Sequence, residues 1–335
     1  MAGTILAEKT MRALVVSDLA PDYGGTALQI IPRPLPEPGQ VQIAVRAAAI
    51  NFPDLLMTRG EYQLKPPLPF IPGGECAGTI TAVGEGVSAA RIGEEVVAGT
   101  RIGAMADYVC VAADACRAKP PMLDWAAAAG YRAVYLTAYV SLVRRAVLHP
   151  GEWVLVHGSA GGVGLACVDL AKSMGARVIA AGSSDAKLAE VARLYAPDAT
   201  LNISDGFREQ VKAITGGAGA DVIIDPVGGD VFDESTRCIA FDGRLLVVGF
   251  TSGRIPTISV NMPLIKGFSV LGVRAGEYGR RFPERGAENL AAVDAMAANG
   301  TISPHVSATV PLADWRRGFD LLANREVVGK AVLVP

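Results

Sequence analysis

Histidine and cysteine, the residues that build most zinc centres and all disulfides, are scarce in this 335-residue sequence. Its three histidines, His149, His157 and His305, stand far apart and at spacings that metal ligands do not use. His157 ends a predicted strand, where a buried or backbone-bonded imidazole is favoured over a catalytic one. The five cysteines are odd in number and include no C-x-x-C pair, which predicts reduced thiols acting as small buried hydrophobes. They are Cys76, Cys110, Cys116, Cys167 and Cys238.

An excess of charge of either sign is also missing. Lys and Arg total 31 against 33 Asp and Glu, a formal net charge of −2, and no run of basic residues stands out. This balance argues against nucleic acid or an anionic membrane as the main partner. No apolar run is long enough to span a bilayer, and the N-terminus, with Glu8 and Lys9, lacks a signal-peptide pattern. The sequence therefore predicts a soluble, cytoplasmic protein of about two domains.

The most informative stretch that is present is a glycine cluster between a strand and a helix. A short apolar run, 153–156, meets the glycines, and apolar residues then recur at helical spacing up to Met174. Bare N–H groups at a helix N-terminus form a site for a pyrophosphate. Ser159 takes the first position of a G-x-G-x-x-G pattern, so a glycine-rich loop without a ligand is the alternative. The candidate cofactor-binding residues are Ser159, Ala160, Gly161, Gly162, Val163 and Gly164.

The flanks of this turn alternate between strand-like and helical patterns. Apolar strand-like runs follow at 177–181, 221–225, 244–250 and 269–273, with helical stretches such as 187–195 and 229–240 between them. Parallel strands need long crossovers of this kind. The pattern predicts a doubly wound parallel sheet of the Rossmann type.

The N-terminal part of the chain is different, because short strands broken by turns precede the glycine cluster. Predicted strands at 12–17, 28–31, 40–49, 78–83, 94–99 and 106–111 favour a barrel-like β-structure. Polar residues beside Gly and Pro at 51–62 and 72–78 are predicted to lie in loops, where functional sites concentrate. The pattern turns helical from Trp125 to Leu148.

Five motifs carry a resemblance to a known family. They are N-F-P-D-L-L-M at 51–57, P-G-G-E-C-A-G at 72–78, L-T-A-Y at 136–139, S-A-G-G-V-G at 159–164 and G-K-A-V-L at 329–333. In this order the sequence resembles the medium-chain dehydrogenases/reductases, and among them the zinc-free quinone oxidoreductases related to zeta-crystallin. The resemblance implies a GroES-like β-rich catalytic domain over 1–130, a Rossmann NADP-binding domain over 131–276, and a return segment, 277–335, that completes the catalytic domain. It also places the active site in a cleft between the domains.

In zinc-dependent relatives the first metal ligand would stand where Asn51 is, and a Gly-His-Glu motif where Gly73, Gly74 and Glu75 are. Both the thiolate and the imidazole are missing, so we expect no metal. Without a Lewis acid, a quinone or an enone is the favoured acceptor, because hydride addition gives a delocalised anion that modest donors can stabilise. Asn51 and Tyr62 are the candidate catalytic residues. A turn-forming role for Asn51 and an ordinary loop position for Tyr62 are the alternatives.

Cofactor preference is read from the end of the second strand of the sheet. Gly182 stands where an acidic residue would bind the ribose of NAD, Ser183 offers a hydroxyl, and Lys187 offers a positive charge. These residues favour NADPH, although Asp185 could weaken phosphate binding and Asn202 stands where some relatives have a tyrosine. Family resemblance adds Asn51, Thr137, Phe250 and Thr251 as cofactor contacts.

The leading hypothesis is an NADPH-dependent, zinc-independent reductase of quinones or other α,β-unsaturated carbonyls. An enoyl thioester reductase of the same fold is the alternative enzyme, since Tyr62 could donate its proton. An NADPH-binding structural or RNA-interacting crystallin-like protein is the alternative of another class. We also expect a homodimer, because 255–265 alternates apolar residues and could lie at a sheet edge that a second copy would cover.

Overall fold

The computed structural model describes residues 9–335, which divide into two compact units. The first unit combines the chain up to Arg132 with Pro304–Pro335, and the second is the continuous stretch Ala133–Ser303. In chain order the strands are β1 (Thr10–Val16), β2 (Thr26–Pro32), β3 (Gln40–Ile50), β4 (Glu75–Val83), β5 (Glu95–Gly99), β6 (Tyr108–Ala112), β7 (Cys116–Ala118), β8 (Trp153–Val156), β9 (Arg177–Gly182), β10 (Ala199–Asn202), β11 (Ala220–Asp225), β12 (Ile239–Val247), β13 (Ser269–Gly272), β14 (Val306–Pro311) and β15 (Lys330–Val334). The α-helices are α1 (Phe52–Thr58), α2 (Trp125–Gly130), α3 (Arg132–Tyr139), α4 (Gly162–Ser173), α5 (Asp185–Tyr195), α6 (Arg208–Ile214), α7 (Gly229–Ser235), α8 (Asn261–Lys266), α9 (Ala275–Arg281), α10 (Pro283–Ala298) and α11 (Trp315–Ala323).

The first unit is organised around β3. This long strand lies between β15 and β4 in a sheet with the order β14-β15-β3-β4-β5-β7, and β6 also pairs with it. The pairing of β15 with β3 is antiparallel, and Ala331 lies opposite Ile50. The C-terminal strand therefore brings the start of β15 next to the end of β3, although the two are almost the whole chain apart. Buried side chains of β3, such as Val41 and Ile43, anchor the apolar core of the unit.

The second unit is the predicted doubly wound parallel sheet. Its strand order is β10-β9-β8-β11-β12-β13, and every pairing is parallel. Apolar residues from the centre of each strand, including Leu155, Ile179, Ile223 and Leu245, are fully buried. The strand order reverses between β8 and β11, and ligands of such sheets bind at the carboxyl ends of the strands at this point.

Three segments differ from the sequence-based expectation. Residues 52–58 form α1 rather than a loop, because Asn51 adopts an extended N-cap conformation and Pro53 lies in the first turn, where its missing N–H is not needed. The predicted helix 229–240 is cut short, since β12 already begins at Ile239. In 255–265 the alternating pattern is not a strand: α8 occupies its second half, and the edge strand of the sheet is β13.

The return segment is also shorter than expected, because 277–303 lies in the second unit. Side-chain contacts explain this placement. Arg144 donates to Asn289 at 2.7 Å and to Glu288 at 2.8 Å, and the Ser303 N–H donates to the Asp169 carboxylate at 2.7 Å. These polar contacts join α10 and the segment after it to the second unit.

The five thiols are free, and all except that of the half-buried Cys110 are buried, as the sequence predicts. Burial raises the pKa of the Cys76 thiol to about 12 and that of Cys110 to about 11. Within residues 9–335, none of the helices combines the length and apolar character needed to cross a bilayer.

Candidate active site

A buried polar cluster lies where β3 ends in the first unit. Three neighbouring strands supply it: Asn51 follows β3, Glu75 begins β4 and Lys330 begins β15. The Asn51 amide nitrogen donates to Glu75 Oε1 at 3.0 Å, and the Lys330 ammonium donates to Asn51 Oδ1 and to the Ile50 carbonyl at 3.1 Å. Lys330 Nζ also lies 3.4 Å from Glu75 Oε1. Glu75 and Lys330 are 3% and 6% exposed, so this is an ion pair removed from solvent, whereas Asn51 is half-buried.

Asp54 fixes the backbone beside this cluster. Its carboxylate accepts the Asn51 N–H at 2.8 Å and the Gly73 N–H at 3.1 Å, which ties the start of α1 to the loop before β4. Burial raises the pKa of Asp54 to about 6, although both backbone N–H groups and the Lys330 charge act in the opposite direction. The Asp54 carboxyl group therefore changes its charge near pH 6, close to neutral pH.

Tyr62 lies in the turn after α1. Its ring is half-buried and packs with a small apolar cluster that contains Val16, Met57 and Phe70. Among residues 9–335, its hydroxyl has no hydrogen-bond partner within the protein. A phenol held by its ring, with its hydroxyl not used internally, is suited to donate to a ligand.

The donors of this cluster do not fit a catalytic zinc site. The part of the chain that the structure describes contains no group of three or more His, Cys, Asp or Glu side chains that could hold a metal ion. The cluster has the Asn51 amide where zinc-dependent relatives have their first metal ligand, and the Glu75 carboxylate from the second motif. The Lys330 ammonium beside these two groups would repel a divalent cation. The group that the cluster can offer to a ligand is therefore the remaining N–H of the Asn51 amide.

In the second unit, the glycine turn between β8 and α4 has the predicted form. Gly161 is the N-cap of α4, and the first N–H groups of that helix have no partners within the helix. Gly164 packs so closely on the strand end that an added Cβ would lie 2.2 Å from the Gly158 carbonyl oxygen. Gly161 is exposed and Ala160, Gly162 and Val163 are partly exposed, whereas Ser159 and Gly164 are buried. The backbone at 160–163 is thus accessible to a ligand, and the buried residues Ser159 and Gly164 on either side hold it in place.

Three buried polar atoms near this turn lack hydrogen-bond partners among the described residues. They are His157 Nδ1, Ser159 Oγ and Asp225 Oδ2, at the carboxyl ends of the adjacent strands β8 and β11. His157 lies edge-on to Phe207, and its Nε2 is 2.9 Å from Ser235 Oγ. Because the Ser235 hydroxyl donates to Val231, the imidazole carries its proton on Nε2. Burial lowers the pKa of His157 to about 3, so it is a neutral core residue, as the sequence predicts.

The predicted 2′-phosphate residues surround the end of β9. Gly182 ends the strand, Ser183 is exposed, and Lys187 is half-buried on the first turns of α5. Asn202, the last residue of β10, lies opposite Gly182 of β9, and its side-chain amide donates to Asp185 Oδ1 at 2.7 Å. The acidic residue that argued against NADPH is therefore held by a neighbouring amide.

The remaining predicted cofactor residues lie in three places. The Thr137 hydroxyl donates to the Ala133 carbonyl within α3 at 2.8 Å. Phe250 and Thr251 follow the end of β12, where Phe250 is 41% exposed and the Thr251 N–H donates to the Pro226 carbonyl at 3.1 Å. Pro226 follows β11, so this contact brings the ends of β11 and β12 together at the carboxyl edge of the sheet.

Sequence reasoning missed Asp225, and it used Glu75 and Lys330 only as letters of the family motifs. Asp225 accepts N–H groups from Val227 and Gly228, both at 2.8 Å, and burial raises its pKa. An acidic residue ending an otherwise apolar strand was a visible signal for it. No local signal marks Lys330, because its partners become neighbours only through the pairing of β15 with β3.

Comparison with known protein families gives one match for each of the two units. Residues 37–139 match the family model of the alcohol dehydrogenase GroES-like domain, and residues 162–293 match that of the zinc-binding dehydrogenases. The GroES-like and Rossmann fold class expected from the sequence is thus confirmed. The zinc of the second description has no matching ligand set among residues 9–335.

Individual relatives narrow the family. The quinone oxidoreductase-like protein 2 homologue of Nematostella vectensis is 37% identical over 298 residues, which cover 88% of this chain and 81% of that protein. A mycobacterial protein solved in complex with NADPH is 30% identical, with a TM-score of 0.87, and the match covers 97% of this chain and all of that one. The polyketide synthase component PikAII of Streptomyces venezuelae is 34% identical over 312 residues, 92% of this chain but 8% of that much longer protein.

These matches extend over both units, and the two family models cover Asn51 and Glu75 in the first unit and Gly162–Gly164 in the second. The chain belongs to the medium-chain dehydrogenase/reductase superfamily, and within it is an oxidoreductase of the quinone oxidoreductase-like group.

Proposed function

We propose that this oxidoreductase uses NADPH to reduce quinones or related α,β-unsaturated carbonyls without zinc. The observation that carries the proposal is the donor set of the first unit. Asn51 offers an amide N–H and Tyr62 a hydroxyl, while the nearby cation is an ammonium that is fully engaged inside the protein. Such neutral donors can stabilise an oxyanion whose charge is delocalised, which favours conjugated carbonyls as acceptors.

Several features of the second unit support NADPH. The backbone at 160–163 is open at a helix N-terminus, where a pyrophosphate is stabilised by the N–H groups and the helix dipole. Ser159 Oγ is a buried polar atom without a partner among the described residues. Gly182 removes the carboxylate that would repel a 2′-phosphate, and Lys187 adds a positive charge. The structural neighbour solved with NADPH agrees with this choice. NADPH, when bound, would supply the hydride.

The test is a panel of quinones, enones and enoyl thioesters assayed with NADPH and with NADH. We expect turnover of quinones or enones, a clear preference for NADPH, and no loss of activity in EDTA. Elemental analysis of protein purified without chelator is the matched measurement. Stoichiometric zinc, or equal use of NADH, would contradict the proposal.

Reduction of enoyl thioesters is a second candidate. The similarity to a segment of a polyketide synthase component favours it, because polyketide chains are built as thioesters. Tyr62 would then donate the proton that the substrate carbon needs. A quinone needs no proton on carbon when it is reduced. The thioesters in the panel decide between the two candidates.

We also propose a homodimer formed through the second unit. The edge strand β13 and the adjacent helix α8 expose large apolar side chains, with Val270 36%, Ile265 71% and Leu264 81% exposed. An apolar sheet edge invites pairing, and a two-fold axis is the commonest way to provide it. Light scattering is the measurement. A mass of 34.7 kDa at every concentration would exclude the dimer.

A further inference from the structure

We infer that Lys330 is a positioning residue for carbonyl reduction, because it fixes which end of the Asn51 amide is offered to the substrate. The inference rests on the proposed function, in which Asn51 donates to the substrate oxygen. It assigns a role to the residue that begins β15, whose Nζ contacts the cluster at the opposite end of the chain.

The orientation of the amide follows from the chemistry of its two partners. An ammonium can only donate hydrogen bonds, and an ionised carboxylate can only accept them. Lys330 donates to Asn51 Oδ1, and Glu75 Oε1 accepts from Asn51 Nδ2 at 3.0 Å. A flipped amide would place its N–H groups against the ammonium and its oxygen against the carboxylate. The second N–H of Nδ2 therefore remains as the group that the half-buried Asn51 can offer to a ligand.

Lys330 acts through Asn51 rather than on the substrate itself. Its three N–H bonds match three acceptors: the Ile50 carbonyl at 3.1 Å, Asn51 Oδ1, and Glu75 Oε1 at 3.4 Å. A fully used ammonium that is 6% exposed has no donor left for a ligand. Its stem also packs on Gly130 of α2, where an added Cβ would lie 3.5 Å from it. Packing and hydrogen bonds thus hold the ammonium in one position.

Without the ammonium, nothing in this set holds Asn51 Oδ1. Only the bond from Nδ2 to Glu75 then orients the amide, so a larger share of molecules presents the amide oxygen to the place where negative charge develops on the substrate. Loss of a donor that is needed in the transition state lowers kcat more than it raises KM. We therefore expect Lys330→Met, which keeps the length of the stem, to lower kcat/KM on a conjugated acceptor roughly tenfold or more, mainly through kcat.

The experiment is a double-mutant cycle of Lys330→Met and Asn51→Ala, measured as kcat and KM with NADPH and one active acceptor from the panel. If Lys330 works through Asn51, the double variant is within about twofold of Asn51→Ala alone. A merely structural role would instead make the two losses multiply, and that result would overturn the inference. Lys119→Met is the matched control, since Lys119 is another shielded lysine of the first unit, 3.5 Å from the Glu95 carboxylate. It should leave kcat unchanged.

A second arm guards against loss of folding, because Lys330→Met leaves Glu75 buried without its counter-charge. If that variant does not fold, the whole cycle is repeated in a Glu75→Gln background. Glu75→Gln then replaces the parent, and Lys330→Met and Asn51→Ala are each added to it singly and together. The same two outcomes decide. Both versions remove the donor to Asn51 Oδ1.

A third measurement separates this inference from the proposed function. The two side-chain amide protons of Asn51, assigned by their loss in Asn51→Ala, are followed by NMR in the parent and in Lys330→Met or its folded replacement. We expect both signals to move when the ammonium is removed. Unchanged signals overturn the inference whatever the substrate is. An Asn51→Ala variant with full activity on every acceptor instead overturns the proposed site.

Discussion

The two units build their candidate sites in opposite ways. In the first unit, side chains from three strands satisfy one another, and Lys330 has an acceptor for each of its N–H bonds. In the second unit the site is made of backbone, and Ser159 Oγ and Asp225 Oδ2 lack partners among the described residues. The first arrangement fixes the direction of a few donors before a ligand arrives, which is what a reacting centre needs. The second leaves polar groups for a ligand to satisfy, which suits the binding of a large cofactor.

The largest effect is expected from a substitution of Gly164, which would disrupt the backbone-built site of the second unit. Its added Cβ would lie 2.2 Å from the Gly158 carbonyl oxygen, so Gly164→Ala must move either the strand end or the helix. Because this site is made of backbone, we expect NADPH binding to fall by roughly 10²-fold or more, about 2.7 kcal/mol. Fluorescence titration with NADPH measures the loss.

Gly276→Ala is the control in the same unit, since its Cβ would make an ordinary 3.5 Å contact with the end of the Arg280 side chain. It should bind NADPH like the parent. If Gly164→Ala also binds NADPH like the parent, the turn is not the pyrophosphate site.

Tyr62→Phe tests the donors of the first unit. On an enoyl thioester, whose carbon must be protonated, we expect kcat to fall by roughly 10²-fold, the scale of general-acid catalysis. On a quinone, whose reduced anion can take a proton from water, the loss should stay below about tenfold. The ratio of the two losses, measured on one preparation, separates the two candidate substrates. Equal full activity on both would remove Tyr62 from the site.

The contrast between the units also explains what the sequence could predict. The glycine turn and its flanking strands form one continuous segment, and a local pattern was enough to place Ser159, Gly161 and Gly164 on a strand–turn–helix. The cluster in the first unit joins residues 51, 75 and 330. Its members become neighbours through strand pairing, which no local periodicity encodes, so Asn51 was found by resemblance and the contact of Lys330 with Asn51 was missed.

Fold prediction failed where side-chain chemistry overrode the local pattern. Gly and Pro around 51–62 indicated a loop, yet Asp54 bonds the Asn51 N–H and supports α1. In 255–265 the alternating apolar residues indicated a sheet edge, but α8 forms the second half of the segment and leaves Leu264 and Ile265 exposed, whereas Ile258 packs against the core of the second unit.

One buried titratable group in each unit should change the free energy of unfolding with pH, and the two changes should have opposite signs. Burial lowers the pKa of His157 from 6.5 to about 3, so the folded state favours the neutral imidazole. The stability that this contributes is present above pH 6.5 and is lost as the pH falls towards 3. Between pH 6.5 and 5 we expect a loss of up to about 2 kcal/mol in the free energy of unfolding, and His157→Phe should reduce it. Urea unfolding at several pH values measures the slope.

Asp54 in the first unit provides the opposite case. Burial raises its pKa from 3.8 to about 6, so its contribution to stability is present below pH 3.8 and is lost as the pH rises to about 6. Asp54→Asn should therefore steepen the loss on acidification that His157→Phe reduces. Parallel slopes for the parent and both variants would show that neither group governs the pH dependence.

Lys187→Ala tests the side-chain part of the second site. Loss of one charge-assisted contact with a 2′-phosphate costs about 1.5–3 kcal/mol, so NADPH should bind roughly tenfold more weakly or worse. NADH lacks that phosphate, and its affinity should barely change. Lys172→Ala is the control, because Lys172 pairs with Asp198 on the surface of the same unit at 2.9 Å. A similar loss for both cofactors would assign Lys187 to the stability of α5.

The smallest expected effect comes from Asn202, which decides how Asp185 behaves beside a phosphate. Its amide donates to Asp185 Oδ1 at 2.7 Å, so part of the acidic charge is already engaged. Asn202→Ala removes that bond and leaves an exposed carboxylate near the predicted 2′-phosphate position. Repulsion between exposed charges costs about 0.2–1 kcal/mol, so we expect NADPH to bind roughly two- to fivefold more weakly relative to NADH. Asn202→Ala/Asp185→Asn should restore the ratio, because the repelling charge is then gone. If the single variant weakens both cofactors equally and the double variant restores neither, Asn202 shapes the adenine side of the site, and cofactor preference rests on Gly182 and Lys187 alone.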